Sequence, residues 1–397
     1  MSIECDAIVV GLGPAGATAA YELARSGQKV LAFDKEKFPR YKPCGGAVSA
    51  KVNRILKFDF SGVVEDVVDA AIFTYRSKRN LFIQNDTPIA SMVMRDRFDN
   101  LLVDMAKKAG AVVMEGIRVS GFKEDISCIY VETDRGKFRA RVLIAADGAS
   151  SFVWRTLYGT DLGADLRETV LTIESEMSAD RNSLEKLRNK IIIDFGCIPW
   201  GYAWIFPKKE YLSVGIAGVK SRLDRGIKEY FNDFLKCYHD ILKGGEVRNQ
   251  KGWIIPEFNS NTKRIAGRRI LLVGDAGHIV DPFTGEGIYY AVRSAQLAAR
   301  AVVDGIGKDD FSAYETDLEK ELYAELSAAQ KLADMVYSNP KVWYSLVEAE
   351  PGLIKKYLDV ITGNSSYREF VQEIKSYPRF KLLFNVVKGW LKGLMGR

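Results

Sequence analysis

The stretch CDAIVVGLGPAG at residues 5–16 decides the fold of this 397-residue chain. A short apolar, β-branched run passes at once into the pattern G-x-G-x-x-G, and a helical pattern follows over residues 14–26. A second predicted strand, residues 29–33, leads directly to Asp34. Strand, glycine motif, helix, strand and acid in this order predict an α/β fold with a Rossmann-like dinucleotide-binding domain.

Each position of the motif has a physical task. Gly11 allows the tight turn, Gly13 lets the backbone approach a pyrophosphate, and Gly16 lets the helix pack close to the strand. The first helical turn, which includes Ala15, offers unpaired N–H groups to the phosphates. Asp34 can bind ribose hydroxyls, which favours FAD or NAD over NADP.

Two later segments favour FAD. Residues 141–148 form an apolar strand pattern that ends in Asp-Gly, and residues 269–275 repeat the arrangement with Gly-Asp. The glycine-rich stretch 281–287 then opens a predicted helix over residues 288–304. An aspartate at a strand end can accept hydrogen bonds from a ribityl chain, and a helix start can face the pyrimidine edge of a flavin.

Composition narrows the class of protein. The chain is 47% hydrophobic and 27% charged, which excludes intrinsic disorder, and its length suggests two or three domains. No apolar run approaches the ~18 residues of a membrane span, so we expect a cytoplasmic protein. A net charge of +6 gives no reason to expect nucleic acid as a partner, and the oligomeric state is not predicted.

Cysteine and histidine usage argues against a metal centre. The five cysteines are scattered and form no C-x-x-C pair, and only two histidines occur. We therefore expect neither a disulfide framework nor a zinc or iron site, and we predict that the protein binds no metal. The chemistry requires an organic cofactor or carboxylates.

The glycine motif, the Asp-Gly at 147–148 and the Gly-Asp at 274–275 resemble the p-hydroxybenzoate-hydroxylase-like flavoprotein superfamily, and within it the geranylgeranyl reductase family. The resemblance covers roughly residues 1–310. It implies that FAD is the cofactor and that Asp275 binds ribityl hydroxyls. It also implies that Gly287 and Ile288 offer backbone contacts to the flavin ring.

Two further positions follow from the resemblance. Arg95 opens an R-x-x-F-D match at a helix start and would reach the phosphate side of the cofactor, although a surface cation is the alternative. Val119 lies where the family holds the adenine end with backbone groups.

The segment RYKPCGGAVS at residues 40–49 resembles the family's Cys-Gly segment, which lies against the flavin. It implies cofactor contacts from Cys44, Gly45 and Ala47. Cys44 is either a catalytic thiol or a small residue packed near the ring. Packing is the favoured interpretation, because the sequence shows no neighbouring base that would activate the thiol.

The segment PWGYAWIFP at residues 199–207 predicts a strand with Tyr202, Trp204 and Phe206 on one face. It resembles the family's Y-x-W-x-F-P signature, which implies substrate contacts from these three side chains. An ordinary apolar core is the alternative. Flavin halogenases carry W-x-W-x-I-P, from which this chain departs at Tyr202 and Phe206.

These patterns predict a discontinuous architecture with a helical C-terminal region. From Tyr377 onward the chain has five Lys or Arg residues and no acid, which is typical either of a peripheral membrane helix at the inner membrane face or of a packed terminal helix. The expected parts are an FAD-binding domain (1–70, 95–155 and 262–310), an antiparallel substrate domain (71–94 and 156–261) and the helical region (311–397).

The resemblance implies an FAD-dependent reductase that saturates C=C bonds of geranylgeranyl chains on a lipid, quinone or diphosphate, with hydride delivered from flavin N5. The electron donor, NAD(P)H or ferredoxin, stays open, and so does the proton donor. Glu286 is the acid that the sequence places nearest the ring. A flavin monooxygenase or halogenase of an aromatic substrate and a non-catalytic flavin-binding protein are the alternatives.

Overall fold

The computed structural model of the chain describes residues 5–159, 169–260 and 268–376. The basic tail at 377–397 lies outside these ranges, and its contact with a membrane stays a prediction. None of the helices in the described ranges is long and apolar enough to cross a bilayer.

A mixed sheet carries the glycine motif. Its order is β8-β2-β1-β11-β10-β9, with β17 added beside β11. The parallel part is buried between helices, which explains why β1 is an almost unbroken apolar run. The parallel strands are β1 (Cys5–Val10), β2 (Val30–Asp34), β8 (Val112–Glu115), β11 (Gly136–Ala145) and β17 (Ile270–Leu272), and the antiparallel ones are β9 (Val119–Glu124) and β10 (Ile129–Thr133).

Three long helices cover one side of this sheet: α1 (Pro14–Arg25), α3 (Arg95–Lys108) and α8 (Ile288–Gly305). The helix α1 lies between the other two, and its buried alanines at 17, 19 and 20 permit this close packing. Pro14 occupies the first turn of α1, where a missing N–H costs nothing. Because α1 and α8 pack closely side by side, both helices begin at the same edge of the sheet.

A second sheet is antiparallel except where β13 runs parallel to β5, and its order is β16-β12-β15-β14-β13-β5-β6. One face packs on α6 (Ile227–Cys237) through Phe231 and Phe234. The other face is turned toward the first sheet and the C-terminal helices. Its strands are β5 (Ala70–Tyr75), β6 (Arg79–Gln84), β12 (Val170–Ser178), β13 (Lys190–Phe195), β14 (Gly201–Pro207), β15 (Tyr211–Val219) and β16 (Val247–Ile255).

Smaller elements join the two sheets. A three-stranded sheet contains β3 (Ala47–Ser49), β7 (Ala90–Val93) and β4 (Val64–Val68) in that order. The short helices are α2 (Ala50–Ile55), α4 (Phe152–Tyr158), α5 (Arg181–Leu187) and α7 (His239–Leu242). The C-terminal helices are α9 (Ala313–Leu318), α10 (Ala324–Ser338), α11 (Pro340–Ala349), α12 (Gly352–Thr362) and α13 (Tyr367–Ser376), with a π-helical turn over Glu319–Tyr323 between α9 and α10.

Candidate active site

The glycine motif forms a tight turn that leaves one side open. Gly11 has φ +90°, and a Cβ there would lie 2.3 Å from the Ala146 carbonyl oxygen. A Cβ on Gly16 would lie 1.8 Å from the Gly11 carbonyl oxygen, so helix and turn are in direct contact. A Cβ on Gly13 would meet only Arg40 Nη2, at 3.8 Å. Gly13 is therefore the position at which a ligand can approach the backbone.

A buried cationic cluster lies beside this opening. The Asp99 carboxylate is fully buried and accepts two hydrogen bonds from Arg95, at 2.8 and 2.9 Å. Its Oδ2 also lies 2.9 Å from Arg40 Nη2. Arg40 Nη1 is buried and has no hydrogen-bond partner among the described residues. Two cations held by one anion, with an unused donor next to Gly13, fit the pyrophosphate of a dinucleotide.

Asp34 lies at the end of β2 in the wall of the same cavity. Its carboxylate accepts the Leu12 N–H at 2.6 Å and the Glu36 N–H at 2.8 Å. Burial raises the pKa of Asp34, against the lowering effect of these two bonds. Val119 begins β9 nearby and also lines the cavity. Carboxylate and strand backbone together suit the ribose and adenine end of a nucleotide.

The start of α8 lies across the cavity from this end. A Cβ on Gly287 would be 3.2 Å from Asp275 Oδ1, so the carboxylate rests against the first turn of an 18-residue helix. The Ile288 side chain and the loop over residues 281–287 line the cavity at this point. The positive end of the helix and the acceptor Asp275 together can hold a flavin ring and its ribityl chain.

One cavity of about 840 Å³ joins these features to the second sheet. Gly16 is not among its lining residues, because its role is contact between helix and turn. The structure brings the other sequence-predicted residues to one cavity, namely Gly11, Gly13, Ala15, Asp34, Cys44, Gly45, Ala47, Arg95, Val119, Tyr202, Trp204, Phe206, Asp275, Gly287 and Ile288.

The second sheet presents a gradient from aliphatic to charged side chains to this cavity. The register of the seven strands aligns one residue from each strand in a single row across the sheet. The side chains of this row are apolar up to β14 and become charged beyond β15. From β6 to β16 the row is Leu81, Phe73, Ile193, Trp204, Gly215, Glu174 and Lys251. The members that line the cavity are Phe73, Ile193, Trp204, Glu174 and Lys251. One end of the cavity therefore suits a hydrocarbon chain and the other a polar group.

Trp204 connects the two halves of the row. Its ring lies over Gly215, where a Cβ would be 2.1 Å from Trp204 Cζ2. The indole N–H donates to Ser213 Oγ at 3.3 Å, and Ser213 donates to Glu174 Oε1 at 3.0 Å. The Tyr41 hydroxyl donates to Glu174 Oε2 at 2.9 Å. The carboxyl of Glu174 is thus held from both sides.

The loop that carries Cys44 lies on this face. A Cβ on Gly45 would be 2.9 Å from the Phe206 ring, and the buried Lys208 ammonium donates to the Gly45 carbonyl at 2.7 Å. Burial lowers the pKa of Lys208 to about 8. The Cys44 sulfur accepts the Gly46 N–H at 3.4 Å. The loop is therefore fixed between the sheet and the dinucleotide site.

Glu174 makes stability depend on pH. Burial raises its pKa from 4.5 to about 7, although the bonds from Tyr41 and Ser213 lower it. The folded chain thus holds a proton that the unfolded chain releases, so this stabilisation is complete below pH 4.5 and is lost as the pH rises through about 7. A shift of that size corresponds to about 3 kcal/mol.

We expect the free energy of unfolding of Glu174→Gln minus that of the wild type to be about 3 kcal/mol higher at pH 8 than at pH 4.5, because the wild type alone loses stability as the pH rises. Urea titrations across this range measure the difference. Glu185→Gln, in an exposed pair with Arg181, is the control and should follow the wild type. Parallel pH curves for the wild type and Glu174→Gln would contradict the assignment.

Comparison with known proteins identifies the family. A model described as an FAD binding domain matches residues 4–182. The chloroplastic geranylgeranyl diphosphate reductase of Oryza sativa subsp. japonica is 30% identical over 337 residues, covering 79% of this chain and 70% of that protein. A digeranylgeranylglycerophospholipid reductase of Thermoplasma volcanium is 30% identical over 332 residues, covering 77% and 80%. The chain belongs to the geranylgeranyl reductase family.

Solved structures confirm the fold. The geranylgeranyl bacteriochlorophyll reductase-like protein of Thermoplasma acidophilum has a TM-score of 0.77 at 22% identity, covering 97% of this chain and 99% of that one. The halogenase PltM, solved with FAD, has a TM-score of 0.70 at 18% identity, covering 94% and 86%. The predicted Rossmann-like fold, the FAD cofactor and the assignment to FAD-dependent oxidoreductases are confirmed.

The sequence did not predict several residues of the site in this reductase-family chain. Most of them are hydrogen-bond or ion-pair partners of other residues in or beside the site. Arg40 and Tyr41 belong to a segment that the sequence already marked, and Lys208 directly follows another, yet nothing in their spacing shows what they contact. Glu174 stands in a strand with no motif around it. Only the register of the folded sheet places it next to Trp204.

The C-terminal helices of the reductase-family chain also reach the cofactor loop at 281–287. Three tyrosine hydroxyls from three elements donate to it. They are Tyr202 of β14 to the Thr284 carbonyl, Tyr337 of α10 to the Phe283 carbonyl, and Tyr367 of α13 to Asp281 Oδ2 at 2.6 Å. The predicted acid Glu286 is paired with Lys51 at 2.9 Å. The flavin loop is therefore held by the substrate sheet and by the helical region together.

Proposed function

We propose that this protein saturates C=C bonds of geranylgeranyl-type chains carried by a lipid, a quinone or a diphosphate. Relatives named geranylgeranyl diphosphate reductase and digeranylgeranylglycerophospholipid reductase support this substrate class. The observation that carries the proposal is the row of side chains from Phe73 to Lys251, which offers an apolar end and a polar end within one flavin cavity.

The apolar end is suited to a branched hydrocarbon. Its walls come from β5, β13, β14 and α12, and they are aliphatic or aromatic. They include Ala71, Phe73, Ile191, Ile193, Phe195, Leu358 and Ile361. Such a surface binds an isoprenoid chain by removing apolar area from water, without directional bonds.

Bound FAD, in its reduced form, supplies the hydride for the reaction. The chain's own contribution is positioning and exclusion of water. An isolated alkene is not polarised, so a fixed approach of the double bond matters more than activation by one group. The ring of Trp204 and the Gly45 segment restrict where that double bond can lie.

The same geometry supports the division of the chain predicted above. In this proposal residues 1–70, 95–155 and 262–310 bind FAD, while 71–94 and 156–261 hold the substrate. Among the described residues of the helical region, Tyr337, Tyr357 and Leu358 line the cavity. The helical region would then form part of the substrate wall.

An anaerobic single-turnover experiment tests the function. The purified protein is photoreduced, so the result does not depend on whether NAD(P)H or ferredoxin is the donor, and a geranylgeranyl lipid or geranylgeranyl diphosphate is added. We expect reoxidation of the flavin band and a mass gain of two hydrogens per double bond. Photoreduced free FAD is the control and should leave the lipid unchanged. Absence of any mass gain, with phenol-dependent oxygen consumption in air, would instead assign the protein to the monooxygenases.

A further inference from the structure

We propose that Glu174 and Tyr41 form the proton-donating pair of this cavity, with Tyr41 facing the substrate and Glu174 holding the proton behind it. The inference rests on the proposed function. Saturation of a C=C bond adds a hydride to one carbon and a proton to the other, and the hydride donor leaves the source of the proton undetermined.

The contacts of Glu174 set it apart from other acids near the cavity. Its side chain is 2% exposed, lines the cavity, and has no ion-pair partner among the described residues. Its two oxygens are bonded to hydroxyl groups only, those of Tyr41 and Ser213. Glu286, by contrast, is neutralised by Lys51 at 2.9 Å. A buried carboxyl bonded only to hydroxyls is able to hold a proton near neutral pH.

Two other groups that can carry a proton contact the backbone of the Cys44 loop, and Lys208 is not among the residues that line the cavity. Lys208 donates to the Gly45 and Gly46 carbonyls, and the Cys44 sulfur accepts the Gly46 N–H. Among the described residues that line this cavity there is no histidine. Within the same set, Tyr41 and Glu174 place a hydroxyl and a carboxyl in direct hydrogen-bond contact.

The row of side chains that contains Glu174 ends at the exposed edge of the sheet. Glu174 is directly paired with Lys251 of the edge strand β16, and Lys251 is exposed. The titratable groups around the Tyr41–Glu174 pair come from four elements: Tyr41 itself and Cys44 of the loop before β3, Glu176 of β12, Lys208 between β14 and β15, and Lys251 of β16. Glu176 disfavours and Lys208 favours the charged form of Glu174.

The proposed step balances atoms and charge. As hydride reaches one alkene carbon, the O–H bond of Tyr41 breaks and a C–H bond forms at the other carbon. The contact between the Tyr41 oxygen and Glu174 Oε2 is 2.9 Å long. When Glu174 is protonated, its carboxylic O–H donates across this contact and the Tyr41 O–H is free to face the alkene. The carboxylic proton then moves to the Tyr41 oxygen as the Tyr41 proton leaves. Glu174 is left as a carboxylate and takes a new proton from water at the β16 edge. Trp204 acts as a positioning residue, because its indole N–H orients Ser213 and through it Glu174.

Two variants test the pair in the FAD-loaded protein. We expect Glu174→Gln and Tyr41→Phe each to slow reoxidation of the photoreduced flavin by geranylgeranyl lipid about 100-fold. FAD content and the rate of photoreduction should stay unchanged. The wild-type rate should fall as the pH rises through the range in which Glu174 loses its proton, and that dependence should vanish in Glu174→Gln. Glu185→Gln, which removes a carboxylate from an exposed pair with Arg181, is the control and should keep the wild-type rate.

A second measurement does not depend on turnover. Difference infrared spectroscopy of the FAD-loaded protein should show a protonated carboxyl band that disappears on alkalinisation in the wild type and is missing in Glu174→Gln. Wild-type rates in both variants, or an unchanged infrared titration in Glu174→Gln, would overturn the proton assignment and leave the proposed function standing. An inactive wild type that still shows the infrared band would overturn the proposed function, and the catalytic role of the pair with it.

Discussion

Replacing Asp99 with asparagine is expected to lower the free energy of unfolding by about 3–5 kcal/mol, because it leaves two buried cations without their shared anion. Asp99 is fully buried and bonds both oxygens to Arg95, while Oδ2 also lies 2.9 Å from Arg40. Asparagine keeps the shape of the side chain but removes the charge, so Arg40 and Arg95 would repel each other beside the cofactor opening.

Urea unfolding of the FAD-free protein measures this loss. The control is Glu185→Gln, which breaks the exposed pair with Arg181, whose side chain is 93% exposed. That change should alter stability by less than about 0.5 kcal/mol. An equal effect of the two substitutions would show that the Asp99 cluster does not stabilise the fold.

The nucleotide half of the site was predictable because its chemistry is local in sequence. The glycine motif, the helix start and Asp34 fall within about 25 residues, and their spacing alone requires a strand, a turn and a helix. The structure has the corresponding strands at Cys5–Val10 and Val30–Asp34 and the helix at Pro14–Arg25. Backbone geometry, rather than long-range pairing, determines these elements.

Glu174 could not be found in the same way. The alternation Thr172, Glu174, Glu176 along β12 is typical of a strand whose polar face meets water. In the fold that face is turned toward the cavity, and neighbouring strands bury its centre. Sequence spacing does not show which strands will pair, so the same pattern fits an exposed face and a buried acid.

The contribution of the C-terminal helices was equally hidden. Their periodicity predicts helices, and the structure has them between Ala313 and Ser376. The hydroxyls of Tyr337 and Tyr367 reach the flavin loop over sequence separations of 54 and 86 residues. A tyrosine on an apolar helix face looks like ordinary core until the partner of its hydroxyl is known.

Two glycines of one motif should respond differently to the same added methyl group. Gly16→Ala would place a Cβ 1.8 Å from the Gly11 carbonyl oxygen, so either α1 or the turn must move. We expect a loss of about 3 kcal/mol in stability together with loss of FAD binding. Gly13→Ala meets only the end of the Arg40 side chain, at 3.8 Å, so the FAD-free protein should unfold like the wild type.

FAD affinity should nevertheless fall about 100-fold in Gly13→Ala, which is about 2.7 kcal/mol, because the methyl group occupies the space through which the pyrophosphate approaches the backbone. Thermal unfolding of the stripped proteins and fluorescence titration with FAD separate the two effects. Gly307→Ala is the control, because no atom lies within 4 Å of its added Cβ. A loss of FAD affinity without a loss of stability in Gly13→Ala requires a ligand that lies against the backbone of the glycine turn. Tight FAD binding by Gly13→Ala would therefore mean that the cofactor does not cross this turn.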